Sequence, residues 1–258
     1  MPDAAISVLI AVFEADATIL RAVESVLAHP QAEAVLAPDD GQTYTWVQDL
    51  FPERVTLLKP SLRKGPSYGR NRAASVAKGR YFTMLDCDDR FTDLALHEAL
   101  DRAAGAPHGT SFIRMRYVYA GSEELCREFP AGPKIFWNDF VNFHGSVHAF
   151  YSREKWRPYA DYRISQDVLH DAKMLLRSGG EAPLTQAAYL QYLQPRSITA
   201  TARQPEFNRE YFQVMATERN PAIVHLFEEK LRVGGLYMRE VAKRPDLHFH
   251  AFVRDGFR

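Results

Sequence analysis

Acidic side chains follow an apolar segment in the part of the chain best suited to chemistry. Tyr81 to Leu85 is mainly apolar, and Asp86, Asp88 and Asp89 come directly after it. In open α/β sheets, ligands bind at the carboxyl ends of the strands. Carboxylate oxygens suit Mg²⁺ and Mn²⁺, and these ions commonly share a substrate phosphate. The segment therefore predicts a metal–phosphate site, with a solvated acidic turn as the alternative.

A second acidic pair, Asp39 and Asp40, closes another predicted strand. In a parallel sheet both acidic clusters face one crevice, where they need a cation or a donor-rich ligand between them. Arg70, Asn71 and Arg72 lie between the clusters in sequence, at the start of a predicted helix. Arginine and a helix N-terminus both favour a phosphate or a base edge, whereas a solvated helix face is the alternative. The co-occurrence favours an anionic ligand bound together with a metal ion.

Asp167 is the remaining carboxylate with a predicted chemical role. It lies in the first turn of a helix that Ser165 is expected to cap. The helix dipole favours an aspartate there, which is a sufficient structural reason for it. A general base that faces the crevice is the functional interpretation. The sequence leaves both open.

Alternating strands and helices are expected to position these groups. Apolar runs predict buried strands, and apolar residues at helical spacing predict helices. The alternation implies right-handed crossovers and an α/β fold with a mostly parallel sheet. Residues 129–142 are expected to be irregular, and Gly79 is expected to end a helix. The predicted strands are 6–13, 34–37, 55–58, 81–85, 111–119, 147–152 and 187–193, and the predicted helices are 19–27, 43–51, 67–78, 92–104, 165–177, 206–217 and 221–242.

Composition limits the classes of function. The 258 residues include 32 Lys+Arg and 32 Asp+Glu, so a general basic field for nucleic acid is absent and no nucleic-acid partner is expected. The 2 cysteines do not support a disulfide framework and fit a reducing cytoplasm. We expect no signal peptide, and no apolar run approaches the ~20 residues that cross a bilayer. The expected location is cytoplasmic, at most peripheral to the inner face of the plasma membrane.

Several segments together resemble family 2 glycosyltransferases of the GT-A fold. The resemblance covers about residues 6–202, and its motifs follow the family's order. Any one motif is weak, whereas the ordered set is strong. The segments are 6–14 (the opening strand), 38–41 (V-D-D-G-S), 69–82 (A-R-N-x-G … G-x-Y-I), 85–89 (L-D-x-D-D, which contains the DXD motif), 166–180 (E-D … L-R-x-x-G) and 192–200 (Y-R-x-H-x-x-S-I-T).

The resemblance implies an activity and roles for residues. A sugar would move with inversion from a nucleotide-diphosphate-sugar donor, first of all a UDP-sugar, to an acceptor hydroxyl. Asp167 would be the general base, and Asp88 and Asp89 would hold Mn²⁺ or Mg²⁺ against the diphosphate. The expected setting is the synthesis of a bacterial surface polysaccharide or glycolipid. The implied donor-binding residues are Phe13, Asp39, Asp40, Arg70, Asp86 and Asp88.

The implied acceptor side is less specific. Trp137, His144, His170 and Arg196 are the candidate contacts to a glycan or glycolipid acceptor. Packing in the core is the alternative for the aromatic and histidine residues, and a second metal contact is a further one for His170. The chain departs from the family pattern at Ala11, Gln42 and Gln166. The last replaces a glutamate before Asp167, and a neutral neighbour should raise the pKa of the base less.

The expected organisation is a GT-A domain over residues 1–204, with a nucleotide-sugar half to about 105 and an acceptor half after it. Residues 205–258 are expected to form a helical extension that packs on the core, contacts a membrane or pairs subunits. The alternative function is a non-catalytic nucleotide-sugar or glycan-binding module of a larger synthase. A dinucleotide-binding dehydrogenase is excluded, because the turn after the first strand lacks glycines.

Overall fold

A computed structural model describes residues 5–129, 132–194, 204–244 and 247–256. It contains a ten-stranded sheet with helices packed against it. The strands are β1 (Ile6–Val12), β2 (Ala32–Pro38), β3 (Val55–Leu57), β4 (Tyr81–Met84), β5 (Arg90–Phe91), β6 (Thr110–Tyr119), β7 (Leu125–Glu128), β8 (Lys134–Phe136), β9 (His148–Ser152) and β10 (Glu181–Leu193). The helices are α1 (Ile19–Leu27), α2 (Thr45–Leu50), α3 (Pro66–Val76), α4 (Ala95–Gly105), α5 (Trp137–Phe143), α6 (Gln166–Arg177), α7 (Gln204–Thr217), α8 (Pro221–Val241) and α9 (Phe249–Arg254).

The sheet has the strand order β3-β2-β1-β4-β9-β6-β10-β5. β1 to β4 are parallel, and β10 is parallel to β6, whereas β9 runs antiparallel between β4 and β6. β2 is buried along its whole length, as expected for a strand covered on both faces. The predicted α/β fold is confirmed. The sheet is mixed: the pairings among β1 to β4 and between β6 and β10 are parallel, whereas β5, β7, β8 and β9 pair antiparallel. The carboxyl ends of β1, β2 and β4 therefore lie at one edge, followed by Phe13, Asp39 and Asp86.

The segment 129–142, predicted to be irregular, contains β8 and most of α5. β8 has only three residues and pairs antiparallel with β10, so its pairing partner lies far along the chain. The Asp139 carboxylate accepts the Phe136 N–H at 3.2 Å, which begins α5. Short elements fixed by such pairings carry no periodicity of their own, which is why the prediction failed there.

Gly79 does not end a helix, as predicted, because α3 already ends at Val76. Its role is close packing: a Cβ on this residue would lie 2.5 Å from the backbone nitrogen of Ser7. The Gly79 N–H also donates to the Ser7 hydroxyl at 2.7 Å. A glycine here lets the turn before β4 lie directly against β1.

The C-terminal helices pack on the sheet domain. Val214, Leu226 and Phe227 belong to the same buried cluster as the strands. The predicted helices α7 and α8 are present, and α9 was missed because its six residues are too few for a periodic signal. None of the described helices is both long and apolar enough to span a bilayer.

Candidate functional site

Arg70 connects the acidic loop after β4 with the start of α6, where Asp167 lies. Its side chain is 2% exposed, and its guanidinium donates to an Asp86 carboxylate oxygen and, at 2.6 Å, to the Gln166 Oε1. Burial is the largest single effect and would lower the pKa of Arg70. The nearby acidic groups, of which Asp86 has the largest effect, together raise that pKa. Arg70 was predicted to contact the donor base. Because its guanidinium is buried and bonded to these partners, the geometry favours a role in positioning Asp86 and α6, and a direct contact with the donor base stays a prediction.

Both oxygens of the Asp89 carboxylate accept hydrogen bonds from within the protein. Its Oδ2 accepts the Tyr189 hydroxyl at 2.8 Å, and its Oδ1 accepts the Tyr192 N–H at 2.8 Å. The carboxylate is buried, at 2% exposure. It therefore attaches β10 to the acidic loop after β4, and this geometry favours a positioning role over the predicted role as a metal ligand.

Asp86 and Asp88 remain as the carboxylates that can face a ligand. The Asp86 side chain is 37% exposed, and Asp88 is half-buried with its Oδ2 accepting the Gln194 amide at 3.1 Å. Burial, and next the charge of Asp86, raise the pKa of Asp88 to about 6. Two ionised carboxylates this close are stabilised by a cation.

The donor set fits Mg²⁺ or Mn²⁺. Among the described residues no group of three or more His, Cys, Asp or Glu side chains is arranged to hold a metal ion. An ion shared with substrate phosphates needs only one or two carboxylates and completes its shell with phosphate oxygens and water. Asp86 and Asp88 supply hard oxygen ligands of that kind.

An aromatic and a basic side chain meet at the end of β1. The Phe13 ring is 39% exposed, and the Arg63 guanidinium lies over it, 5.2 Å from the ring centre. The loop that carries Arg63 is held by Asp39, whose carboxylate accepts the N–H groups of Lys64 at 2.9 Å and Gly65 at 2.7 Å. Sequence reasoning missed Arg63, which has no motif of its own.

Asp39 and Asp40 both shape the loops at this end. The Asp39 carboxylate also accepts the Ser61 hydroxyl at 2.8 Å, which leaves limited capacity for a ligand. The Asp40 carboxylate accepts the Tyr44 hydroxyl at 2.6 Å and the Glu14 N–H at 2.7 Å. Burial alone would raise the pKa of Asp40, but the hydrogen bonds to its carboxylate together lower that pKa. Direct contacts of either residue with a donor stay predictions.

Asp167 faces a cavity of about 520 Å³. Its Oδ1 is buried and has no hydrogen-bond partner among the described residues. Burial raises the pKa of Asp167, against the opposing charges of His148 and Arg70. A carboxylate in an enclosed site, with an oxygen free and a raised pKa, is suited to accept a proton.

The predicted acceptor residues that the structure describes do not lie together. His144 lines the same cavity as Asp167. His170 is 5% exposed and packs against Tyr151 and Tyr159, so its predicted acceptor or metal role is replaced by packing in the core. Burial lowers the pKa of His170 to about 3, so it is neutral there.

Trp137 does not line this cavity. The Trp137 N–H donates to the carbonyl of Gly180, beyond the C-terminal end of α6, whereas Asp167 is in its first turn. The length of α6 thus separates Trp137 from Asp167, and its acceptor role stays a prediction. Arg196 lies outside the described residues.

Comparison with known proteins decides the family. The family model for glycosyl transferase family 2 matches residues 7–145, which include β1, both acidic clusters and Arg70. The chain belongs to glycosyl transferase family 2. The motifs that predicted it lie largely within the matched residues, and the family resemblance is confirmed.

Curated relatives of this family 2 chain are bacterial. The chain is 33% identical over 88 residues to the UDP-Glc:alpha-D-GlcNAc-diphosphoundecaprenol beta-1,3-glucosyltransferase WfaP of Escherichia coli, over 33% of this chain and 35% of that protein. It is 28% identical over 145 residues to the enzyme of the same description, WfgD, over 55% of this chain and 56% of that protein. The matches thus span about a third to just over half of these relatives.

Solved structures show the GT-A fold for this family 2 chain. S. aureus TarS 1-349 in complex with UDP-GlcNAc has a TM-score of 0.65 at 14% identity, over 93% of this chain and 77% of that one. The mannosyltransferase PcManGT from Pyrobaculum calidifontis, in complex with GDP-Man and Mn²⁺, has a TM-score of 0.58 at 13% identity, over 98% of this chain and 79% of that one. The predicted fold class is confirmed.

In this family 2 chain, α7 holds the loop that precedes the candidate base. The buried Glu210 carboxylate accepts the N–H groups of Arg163 at 3.0 Å and Ile164 at 2.8 Å. We expect Glu210→Ala to lower the free energy of unfolding by about 1.5 kcal/mol. This is the lower end of the range for a hydrogen bond to a charged group, which we choose because the loop is partly exposed. Urea denaturation measures it, with Glu228→Ala as the control on the exposed face of α8. Equal midpoints for the two variants would contradict the role of Glu210.

Proposed function

We propose that the chain is an inverting, metal-dependent glycosyltransferase that moves a sugar from a nucleotide-diphosphate-sugar donor to an acceptor hydroxyl. The observation that carries this proposal is the bridge from Asp86 through Arg70 to Gln166. It joins the acidic edge of the sheet to the residue next to Asp167. A donor diphosphate and an acceptor hydroxyl held on either side of this bridge would meet at the anomeric carbon.

The donor proposed is a UDP-sugar. Phe13 and Arg63 offer two faces for a nucleobase at the end of β1, and the loop held by Asp39 supplies the surrounding backbone. WfaP and WfgD have UDP-Glc in their descriptions, and TarS binds UDP-GlcNAc. These relatives support the choice of uridine without fixing the sugar.

Asp88, with Asp86 beside it, would hold Mg²⁺ or Mn²⁺. The ion would stabilise the charge that develops on the departing nucleoside diphosphate. Arg70 keeps Asp86 in place through its buried guanidinium. PcManGT, which shares the fold, is described in complex with Mn²⁺.

Asp167 would remove the proton from the acceptor hydroxyl as its oxygen attacks the anomeric carbon. The bond from the sugar to the diphosphate breaks as the new glycosidic bond forms, and the nucleoside diphosphate leaves with the electron pair. Because the attack is in line with the leaving group, the anomeric configuration inverts. The proton rests on Asp167 until solvent removes it.

We place the reaction in bacterial polysaccharide or glycolipid biosynthesis, at the cytoplasmic face of a membrane. WfaP and WfgD are described with a diphosphoundecaprenol acceptor, and ExoO of Rhizobium meliloti with succinoglycan biosynthesis. An acceptor on a lipid carrier would bring the protein to the membrane surface as a peripheral partner. Residues 1–204 would form the transferase domain, with the C-terminal helices as an extension of it.

A thermal-shift panel tests the donor and metal sites together. UDP, GDP, CMP and dTDP are each measured with and without Mn²⁺. A ligand at 100 times its Kd stabilises the folded state by about 2.7 kcal/mol, so we expect a clear shift with UDP that needs Mn²⁺. Asp88→Asn should lose the metal-dependent part of this shift. The control is Asp93→Asn, an exposed aspartate beyond the acidic loop.

The outcomes separate the two candidate functions. No shift with any nucleotide would contradict the transferase proposal. A UDP shift of equal size with and without Mn²⁺, or one unchanged in Asp88→Asn, would remove Asp88 from the metal site. Nucleotide binding without any sugar transfer to a panel of acceptors would favour the non-catalytic binding module.

A further inference from the structure

The cavity at Asp167 is bounded by the C-terminal helices. Its wall on the sheet side includes Tyr117 and Ser146, and its opposite wall comes from α7, α8 and α9. A volume of about 520 Å³ is within the range of small-molecule sites. The helices that follow the family-matched residues 7–145 therefore supply half of a pocket that includes the candidate base.

Part of the lining of this cavity is polar and lacks hydrogen-bond partners among the described residues. Buried side-chain atoms without a hydrogen-bond partner among the described residues line it, namely Ser165 Oγ, Asp167 Oδ1, Gln191 Oε1 and His250 Nδ1. Buried polar groups in folded proteins are nearly always paired, so a concentration of unpaired ones in one cavity indicates a polar ligand. Hydroxyl groups of a sugar, which both donate and accept, match this set.

A buried cation lines the same cavity. Lys230 on α8 is 8% exposed, and its ammonium donates to the Gly145 carbonyl at 3.3 Å. No described carboxylate lies within the 4.0 Å of an ion pair with it. Burial lowers the pKa of Lys230 to about 8, while the charge of Asp167 acts in the opposite direction. An ammonium group has three donors and is costly to bury without an anion, so Lys230 has capacity for an anionic ligand.

The rest of the cavity wall is apolar and leads to the surface. It is formed on α8 and α9 by Val233, Tyr237, Met238, Val241 and Phe249. Met238 is 41% exposed, so this side of the cavity reaches solvent. Hydroxyl-binding groups, a buried cation and an apolar, partly exposed wall thus line a single cavity.

We propose that this cavity binds an acceptor that carries a phosphate group and a lipid chain. The sugar hydroxyl lies at Asp167, the phosphate at Lys230, and the first part of the lipid chain along α8 and α9. The proposal rests on the proposed transferase function and names the acceptor class for it. A glycan with a carboxylate but no lipid would satisfy Lys230 and leave the apolar wall uncovered, which is why we choose the phospholipid-type acceptor.

Farnesyl diphosphate and farnesol test this proposal without the acceptor sugar. Affinity is measured with saturating UDP and Mn²⁺, so that the donor site cannot take the diphosphate. We expect farnesyl diphosphate to bind the wild type more tightly than farnesol by about 10- to 100-fold, as for a charge-assisted hydrogen-bonded contact. Lys230→Met should reduce its affinity to that of farnesol. Arg232→Met is the matched control, because Arg232 is an exposed cation on the same helix.

A second variant keeps the test valid should Lys230→Met fail to fold. Met238→Glu puts a negative charge on a residue that is already 41% exposed, and we expect it to weaken both ligands. Equal binding of the two ligands by the wild type would overturn the proposal, and so would farnesyl diphosphate binding that neither variant weakens. The same samples report UDP binding. If the protein binds UDP but shows no preference for farnesyl diphosphate over farnesol, this inference alone is refuted. If the protein does not bind UDP, the proposed function is refuted.

Discussion

Asp167→Asn should lower the rate of sugar transfer by about 10²–10⁴-fold, the usual contribution of a general base. The change replaces one carboxylate oxygen by an amide and keeps the shape of the side chain. Binding of UDP with Mn²⁺ should stay unchanged, because Asp86 and Asp88 do not contact Asp167 through any described hydrogen bond. Transfer of the sugar from a labelled donor, with UDP affinity measured in parallel, checks both parts.

The pH dependence follows from the raised pKa of Asp167. The wild-type transfer rate should rise with pH as Asp167 ionises, at a pH above the usual carboxylate range. The pKa of Asp167 is higher in the folded state than in the unfolded state. The protonated side chain therefore contributes stability at low pH, and this contribution is lost as the pH rises through the folded-state pKa. Asp167→Asn has no such loss, so its stability relative to the wild type should increase with pH.

The matched control for Asp167 is Asp161→Asn, an exposed aspartate in the loop before α6. It should leave both the transfer rate and UDP affinity unchanged. Retained turnover in Asp167→Asn would remove this residue from the base role. Loss of UDP binding in that variant would show damage to the site as a whole and would also contradict the assignment.

Arg70→Met should destabilise the fold and weaken metal-dependent donor binding together. Removal of one partner of a buried ion pair costs about 3–5 kcal/mol. We expect about 3 kcal/mol here, because the Asp86 side chain is 37% exposed and water can replace part of the contact. The Gln166 amide oxygen also loses its donor. Urea denaturation gives the stability, and titration with UDP and Mn²⁺ gives the affinity.

Arg70→Lys separates the charge of this residue from its geometry. A lysine keeps the charge but cannot form the fork that reaches both Asp86 and Gln166, so we expect only partial recovery. Arg80→Met, at an exposed arginine before β4, is the control and should behave as wild type. A stable Arg70→Met variant with normal donor affinity would refute the positioning role.

The sequence by itself determined the parallel strands β1 to β4 and the edge at which their carboxyl ends meet. β1, β2 and β4 are continuous apolar runs, which local periodicity detects, and parallel strands bring their carboxyl ends to one edge. Asp39 and Asp86 therefore follow strands that end at the same edge, as the predicted parallel sheet implied. The helices α7 and α8 were also detectable, because each is long enough to show a period.

Only the tertiary structure decided what each side chain at that edge contacts. Arg70 meets Gln166 across 96 positions of sequence, and Asp89 meets Tyr192 across 103. These contacts favour a positioning role for Arg70 over the predicted contact with the donor base, and for Asp89 over the predicted contact with the metal. The cavity at Asp167 depends in the same way on Lys230, which no motif marks. Periodicity and spacing are local properties, whereas burial and pairing at the site are set by chain segments that meet only after folding.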